Sequence, residues 1–308
     1  MRVFRIAAVV AFFCADGLFA QNTRSFVSAV SGSDTNNCTR PTPCRTFNVA
    51  LSMTNAGGEV IALESGGYGP FSVTKAVSIE SPAGIYAGLG ATTGDAISVN
   101  AGASDHVTLR GLTIVVSSTG NGINFFGGGQ LVVQRCSVRG GSSGVILNGA
   151  MNLTVLDSSI SDTIGLGFDA AITASAASGA ARVTVEGCSF SGNQNGIVAA
   201  SRSLIMLSNS SFESTLHTAA YASSGDNSNS IMVIENCRFS HSVFDAIETN
   251  SNVSQGFGTV YISNSTITGS GNVGLQQSNG GVIYSRGNNT IQGNTIDTFG
   301  TINPFAGK

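Results

Sequence analysis

Apolar residues recur through the middle of the chain at nearly regular intervals. The repeat is marked by seven anchor residues, which are Leu109, Val133, Val155, Val185, Leu207, Ile234 and Ile262. Neighbouring anchors are 24, 22, 30, 22, 27 and 28 residues apart, and the positions two before and five after each anchor are all apolar. Runs such as VTVEGCSF alternate apolar and polar residues, as strands do. Short strands repeated with this period predict a β-solenoid.

A further strand in each coil raises the expected number of parallel sheets to three. These strands are expected to begin at Gly122-Ile123, Gly144-Val145, Gly167-Phe168, Gly196-Ile197, Ala246-Ile247 and Gly274-Leu275. Alternate residues of a strand face opposite sides of its sheet, so one column of side chains faces outward. That column is predicted to be Asn124, Ile146, Asp169, Val198, Glu248 and Gln276.

Two other columns support the solenoid. Asparagines stand two residues after the last anchors, at Asn209, Asn236 and Asn264, where an Asn tolerates the left-handed backbone of a turn. Small residues stand three after most anchors, and cysteines alternate there with serines. Cysteines two coils apart are about 9.6 Å from each other, too far for a disulfide or a shared metal. We therefore predict that Cys136, Cys188 and Cys237 are free thiols in the core.

The N-terminal region divides into a leader and a cap. Residues 1–20 resemble a signal peptide, with a basic start, a short apolar core and small residues near position 20, and a secreted or periplasmic location follows. Residues 21–58 are predicted to cap the solenoid, with a Cys38–Cys44 disulfide and a short helix that begins after Thr46 and stops at Gly57-Gly58. Residues 59–308 are predicted to form the solenoid itself.

The segments VTVEGCSFSGNQNGIVAAS and IENCRFSHS, together with the asparagine column, resemble the right-handed parallel β-helix proteins of the pectate-lyase-like fold. The N-terminal SFVSAVSGSDTNNC is also similar to the cap of secreted bacterial β-helix proteins, several of which are polysaccharide lyases. The resemblance implies an all-β, right-handed parallel β-helix of three sheets with a short capping helix. It does not extend to the catalytic residue sets of polygalacturonases or calcium-dependent pectate lyases, and Lys75 is the single internal lysine.

Charge and hydropathy narrow the range of partners. The formal net charge is −3, and no basic face of the kind that nucleic acid requires is evident. Beyond the leader, no apolar stretch is long enough to span a membrane. An extracellular polysaccharide is the partner that the resemblance implies. No cofactor is identified, and a calcium site has no supporting motif, since the oxygen-rich segment at 226–229 lacks a calcium-loop pattern.

Two groups of residues are candidates for chemistry or binding. His217, His241, Asp245 and Glu248 cluster on two late coils, where a histidine beside a carboxylate suits general acid–base catalysis. Arg110, Arg135 and Arg139 lie on two adjacent coils and suit an anionic sugar. For both groups the alternative is a set of solvated turns with no function.

The sequence is compatible with three classes of function. The first is an exported protein that processes polysaccharide, and the second is a protein that only binds glycans. The third is a non-catalytic structural or adhesin-like surface solenoid, because one fold hosts many functions.

Overall fold

Parallel strands make up almost the whole molecule. The computed structural model describes residues 21–117, 119–167, 169–251 and 256–305, so the predicted leader and Phe168 lie outside the described residues. Within these ranges three parallel sheets run side by side along one axis, and the chain visits sheets A, B and C in turn on each coil. This is the parallel β-helix that the repeat predicts.

Sheet A has twelve strands, and sheets B and C have ten each. The strands of sheet A are Asn22–Val27, Thr54–Ala62, Val77–Glu80, His106–Arg110, Gln130–Gln134, Asn152–Leu156, Ala181–Glu186, Ser203–Ser208, Ser230–Glu235, Gly258–Ser263, Val282–Ser285 and Ile302–Pro304. Those of sheet B are Gly66–Gly67, Ala87–Ala91, Leu112–Val116, Ser137–Gly140, Ser159–Ser161, Ser189–Ser191, Ser211–Glu213, Arg238–Ser240, Thr266–Thr268 and Thr290–Gln292. Those of sheet C are Phe71–Val73, Ile97–Asn100, Ile123–Gly127, Val145–Asn148, Ile172–Ser175, Ile197–Ala199, Ala220–Ser224, Ile247–Ser251, Val273–Gln277 and Ile296–Phe299.

The predicted register of sheets A and B is confirmed throughout the repeat. Each anchor pairs with the next one in sheet A, from Leu109 with Val133 to Ile234 with Ile262. The residues five positions later pair in the same way in sheet B, where Phe212 lies between Phe190 and Phe239. All of these side chains are buried in one continuous core. The core is therefore a set of ladders in which like residues stack.

Polar ladders close the corner between sheets A and B. Asn209, Asn236 and Asn264 have positive φ angles of 51°, 53° and 50°, and the Asn236 amide donates to the Asn209 side-chain oxygen at 2.7 Å. Behind them, Cys136, Cys188 and Cys237 are buried free thiols, as predicted. The backbone N–H of each of these cysteines donates to the serine hydroxyl of the next coil at 3.1 Å, which explains the alternation of the two residue types.

The N-terminal end is covered by a helix and a pinned loop. The helix Phe47–Met53 has Thr46 as its N-cap, whose hydroxyl accepts from Val49 N at 3.3 Å. It ends before the predicted Gly57-Gly58, because strand Thr54–Ala62 begins directly after it and pairs with the first strand. The predicted boundary between the cap and the solenoid, at residues 58 and 59, falls inside this strand. The Cys38–Cys44 disulfide is present, and both cysteines are buried.

Candidate functional site

Three of the four clustered candidates come together at the border of sheet C. His217 lies in the turn that leads from sheet B to sheet C, and its ring packs on Phe244 of the next coil with centroids 5.0 Å apart. Glu248 faces outward from the sheet C strand of that next coil, and Asp245 precedes the same strand. An imidazole from one coil and two carboxyl groups from the next coil therefore lie close together at this border.

His217 and Glu248 border a pocket of about 250 Å³. Its lining residues come from four consecutive coils and are Gly167, Asn195, His217, Thr218, Tyr221 and Glu248. Asn195 supports the wall, since its buried amide donates to the carbonyl oxygens of Gly167 and Asp169, both at 2.9 Å. The His217 Nδ1 and the Thr218 hydroxyl are 3.1 Å apart, which orients the imidazole at the rim.

Asp245 lies behind the pocket and does not line it. It is 4% exposed, and its Oδ1 accepts from the Asn272 amide at 2.9 Å and from Val273 N at 3.0 Å. The Gln276 amide nitrogen, turned toward it, is 3.3 and 3.2 Å from its two oxygens. Burial raises the pKa of Asp245, while its hydrogen bonds and the nearby His217 act in the opposite direction. Asp245 is therefore fixed in position by its hydrogen bonds, and its charge acts on the neighbouring Glu248.

Glu248 has a carboxyl group that titrates near neutral pH. Its pKa is raised to about 7, chiefly by burial and also by the charge of Asp245, while a hydrogen bond with Asn250 partly opposes both. Glu248 therefore changes protonation near neutral pH, which is the property that a general acid or base requires.

The sequence did not predict Tyr221, which is the direct neighbour of Glu248 in sheet C. Burial raises the pKa of its hydroxyl, and the charge of Glu248 acts in the same direction. The sequence gives a weak signal for this strand, because Ala219 and Ala220 stand where most coils have a glycine followed by a large apolar residue. The alternation in Ala220-Tyr221-Ala222, 23 residues after the strand start at Ile197, was the available signal.

The predicted outward column of sheet C omitted the coil of Tyr221 and named the wrong residue at one further coil. Thr173, not Asp169, pairs between Ile146 and Val198. The strand of this coil begins at Ile172, because the turn before it is longer than the turns of the neighbouring coils. Asp169 lies in that turn, where the Ser143 hydroxyl is 3.4 Å from its carboxylate.

His241 occupies a different position from His217. It follows strand Arg238–Ser240 directly, with φ of 56°, and its Nδ1 is 3.3 Å from the Glu213 carboxylate on the preceding coil of sheet B. Phe244, three residues further on, is the residue that reaches His217. The structure thus separates the four candidates into His217, Asp245 and Glu248 at sheet C and His241 at the edge of sheet B.

The three candidate arginines do not share one surface. Arg110 is on sheet A, where it lies 3.8 Å from Glu80 and donates to Gln134 at 3.2 Å. Arg139 is on sheet B, 2.8 Å from Asp162, and the exposed Arg135 lies between these sheets on the A–B corner. Their role in binding an anion stays a prediction.

Neither a metal site nor a membrane-spanning helix is evident in the described ranges. Among these residues, no group of three or more histidine, cysteine, aspartate or glutamate side chains is arranged to hold a metal ion. None of the helices in the same ranges is long and apolar enough to cross a membrane.

The comparisons with known proteins agree with this architecture. A coil-by-coil ladder of three parallel sheets defines the class of β-helix solenoids. The family model described as "Right handed beta helix region" matches residues 85–211 and 195–303. The chain therefore belongs to the right-handed β-helix family. No curated protein sequence matches it.

Solved structures with the same fold include three polysaccharide lyases. An alginate lyase from Paenibacillus sp. superposes with a TM-score of 0.69 at 15% identity, over 92% of this chain and 98% of that one. A pectate lyase gives a TM-score of 0.67 at 12% identity, over 90% and 78%. An alginate lyase of family PL6 gives 0.56 at 13% identity, over 96% and 41%. At these identities the likeness establishes the fold alone.

Proposed function

We propose that this protein is exported, that it binds a polysaccharide across sheet C, and that Glu248 cleaves the bound chain by acid–base catalysis. The observation that carries the proposal is a carboxyl group with a pKa of about 7 in a pocket that it shares with an imidazole and a phenol. The three structural neighbours are polysaccharide lyases, which supports the choice of a glycan. The disulfide supports export, since such bonds persist in oxidising compartments.

Each residue has a part in the proposed step. Glu248 gives its proton to the glycosidic oxygen as the bond from that oxygen to the anomeric carbon breaks. A water molecule then adds its hydroxyl to that carbon and returns its other proton to Glu248, and a pKa near the working pH makes both transfers efficient. Asp245 is a positioning residue, because its negative charge helps to keep the neighbouring Glu248 protonated. His217 and Tyr221 line the pocket beside Glu248 and supply further hydrogen-bonding groups to the sugar.

A panel of polysaccharides tests this proposal. The assay follows new reducing ends, which appear in hydrolysis and elimination alike, and the ultraviolet absorbance of unsaturated ends, which appears only in elimination. We expect Glu248→Gln to lower kcat by roughly 10²-fold or more, since positioned acid–base groups contribute on that scale. The matched control is Glu186→Gln, an exposed glutamate of sheet A, which should retain full activity.

His241→Ala separates the two histidine positions. If His241→Ala abolishes cleavage while Glu248→Gln does not, the chemistry belongs to the Glu213–His241 contact on sheet B and the proposed site is wrong. If Glu248→Gln alone abolishes cleavage, the sheet C pocket is the active site.

A non-catalytic surface solenoid is the second candidate function. It is favoured by a group of exposed apolar side chains in the turns from sheet B to sheet C, beside the pocket. These are Ile164, Leu166, Leu216, Val243 and Phe244, of which Leu166 is the most exposed at 83%. Exposed apolar groups that gather in one place mark binding surfaces. Glycan binding without new chain ends in the same panel would favour this function.

A further inference from the structure

We infer that the sheet C pocket takes an uncharged glycan and rejects uronate polymers, an inference that rests on the function proposed above. Positive charge is distributed unevenly over the three sheets. Sheet A carries Arg24, Arg110 and Arg182, and sheet B carries Arg139 and Arg238. Within the described residues, neither the strands of sheet C nor the turns that enter them from sheet B contain a lysine or an arginine.

The arginines at the borders of sheet C already have carboxylate partners. Arg139 lies 2.8 Å from Asp162 and Arg238 lies 3.8 Å from Glu213, both on the sheet B side. On the opposite side, Arg202 lies 3.5 Å from Asp226 in the turn that leaves sheet C. Each of these guanidinium groups already faces a carboxylate, which partly offsets the positive charge that it offers to a glycan.

A uronate polymer would meet the wrong charge at this pocket. It carries one carboxylate per sugar, and sugars laid along the axis recur at about the coil spacing of ~4.8 Å. Such a chain needs a cation or a metal on several successive coils, whereas this pocket has the carboxylate of Asp245 beside it and the carboxyl group of Glu248, which becomes negative as the pH rises through about 7. Like charges brought together in a partly buried site repel strongly.

The groups that do face the glycan suit neutral sugars. In the outward column of sheet C, Asn124 and Gln276 contact Asp95 and Asp245, and the column also carries the hydroxyl of Thr173 and the phenol of Tyr221 beside Glu248. Such groups exchange hydrogen bonds with sugar hydroxyls. Phe244, which is 49% exposed and packed on His217, adds an aromatic surface for the C–H face of a pyranose ring.

The test is affinity electrophoresis of the full protein in gels containing single polysaccharides. Xylan, galactomannan and a β-glucan represent uncharged glycans, and alginate and polygalacturonate represent uronates. Fully methyl-esterified polygalacturonate is the matched probe, because it keeps the backbone and removes the charge. We expect at least one uncharged glycan to bind about tenfold or more tightly than either uronate, since charge repulsion opposes only the uronates. High salt should change that affinity less than about twofold.

The variant Phe244→Ala tests whether the glycan binds at this pocket. It should weaken binding of the uncharged glycan about three- to tenfold, the worth of one aromatic contact. The control Tyr86→Ala removes an exposed aromatic ring outside sheet C and should leave binding unchanged, and the melting temperatures of both variants verify folding. Salt-sensitive binding of a uronate that Phe244→Ala weakens would overturn the inference and leave the proposed function standing. Binding of no glycan in any gel, together with no cleavage in the panel, would overturn both.

Discussion

Phe212→Ala removes the middle ring of a stack that runs through three consecutive coils. The Phe212 centroid lies 4.5 Å from that of Phe190 and 4.8 Å from that of Phe239, with 10° between the planes in each pair. Phe212 is fully buried, and its backbone is held by parallel ladders on both sides. The neighbouring coils therefore cannot close the gap that the missing ring leaves.

The free energy of unfolding should fall by about 3–5 kcal/mol. Returning a buried phenylalanine side chain to water costs roughly 1.5–3 kcal/mol. A residual cavity of about 100 Å³ adds roughly 2.4 kcal/mol at ~24 cal/mol per Å³, and partial relaxation lowers the sum into the stated range.

Glu213→Ala is the control, because it alters the next residue in the same strand. The Glu213 side chain is 50% exposed and faces outward toward His241 and Arg238. Loss of its exposed ion pairs should cost less than about 1 kcal/mol. Urea unfolding followed by circular dichroism measures both variants, provided that each shows a single transition. Equal costs, or a cost below about 1.5 kcal/mol for Phe212→Ala, would refute the packing argument.

Two further predictions concern titratable groups. Because burial raises the pKa of each free thiol to about 11, native protein should not react with a thiol reagent, and unfolding without reductant should expose the three thiols of Cys136, Cys188 and Cys237. Five reactive thiols, or one, would contradict the assigned disulfide. Glu248 binds its proton more tightly in the folded state, so its stabilising contribution is present below pH 4.5 and is lost as pH rises through about 7. Glu248→Gln should therefore stabilise the protein above pH 7, by about 1–2 kcal/mol after allowance for partial exposure, and an equal gain at pH 4 would refute this.

The sequence by itself determined the coil and its register. Leu109, Val133 and their equivalents could be aligned because strand side chains alternate with a period of two, and a slip of one residue would expose every core position. The asparagine column and the free thiols followed from the same alignment, since residues at one position of the repeat stack at a spacing of ~4.8 Å.

The candidate site was only partly readable from the sequence. His217, Asp245 and Glu248 could be proposed from their types and spacing, and the structure brings them together at sheet C. The sequence did not predict that His241 lies apart from the other three candidates. Nor did it predict that Asp245 lies behind the pocket or that Tyr221 lines it. These features depend on turns between sheets B and C whose lengths differ from coil to coil, so that residue spacing no longer gives position.

The tertiary structure alone decided the chemistry of Glu248. Its raised pKa comes from burial and from the charge of Asp245 in the turn before its strand. A periodic pattern predicts neither how deeply a side chain is buried nor which charges lie near it. The same holds for the lack of lysine and arginine on the described strands of sheet C, because it appears only once the strands are assigned to their sheets. The repeat specifies which residues stack, whereas the folded coils set how far each outward group is removed from water, and that removal controls its charge.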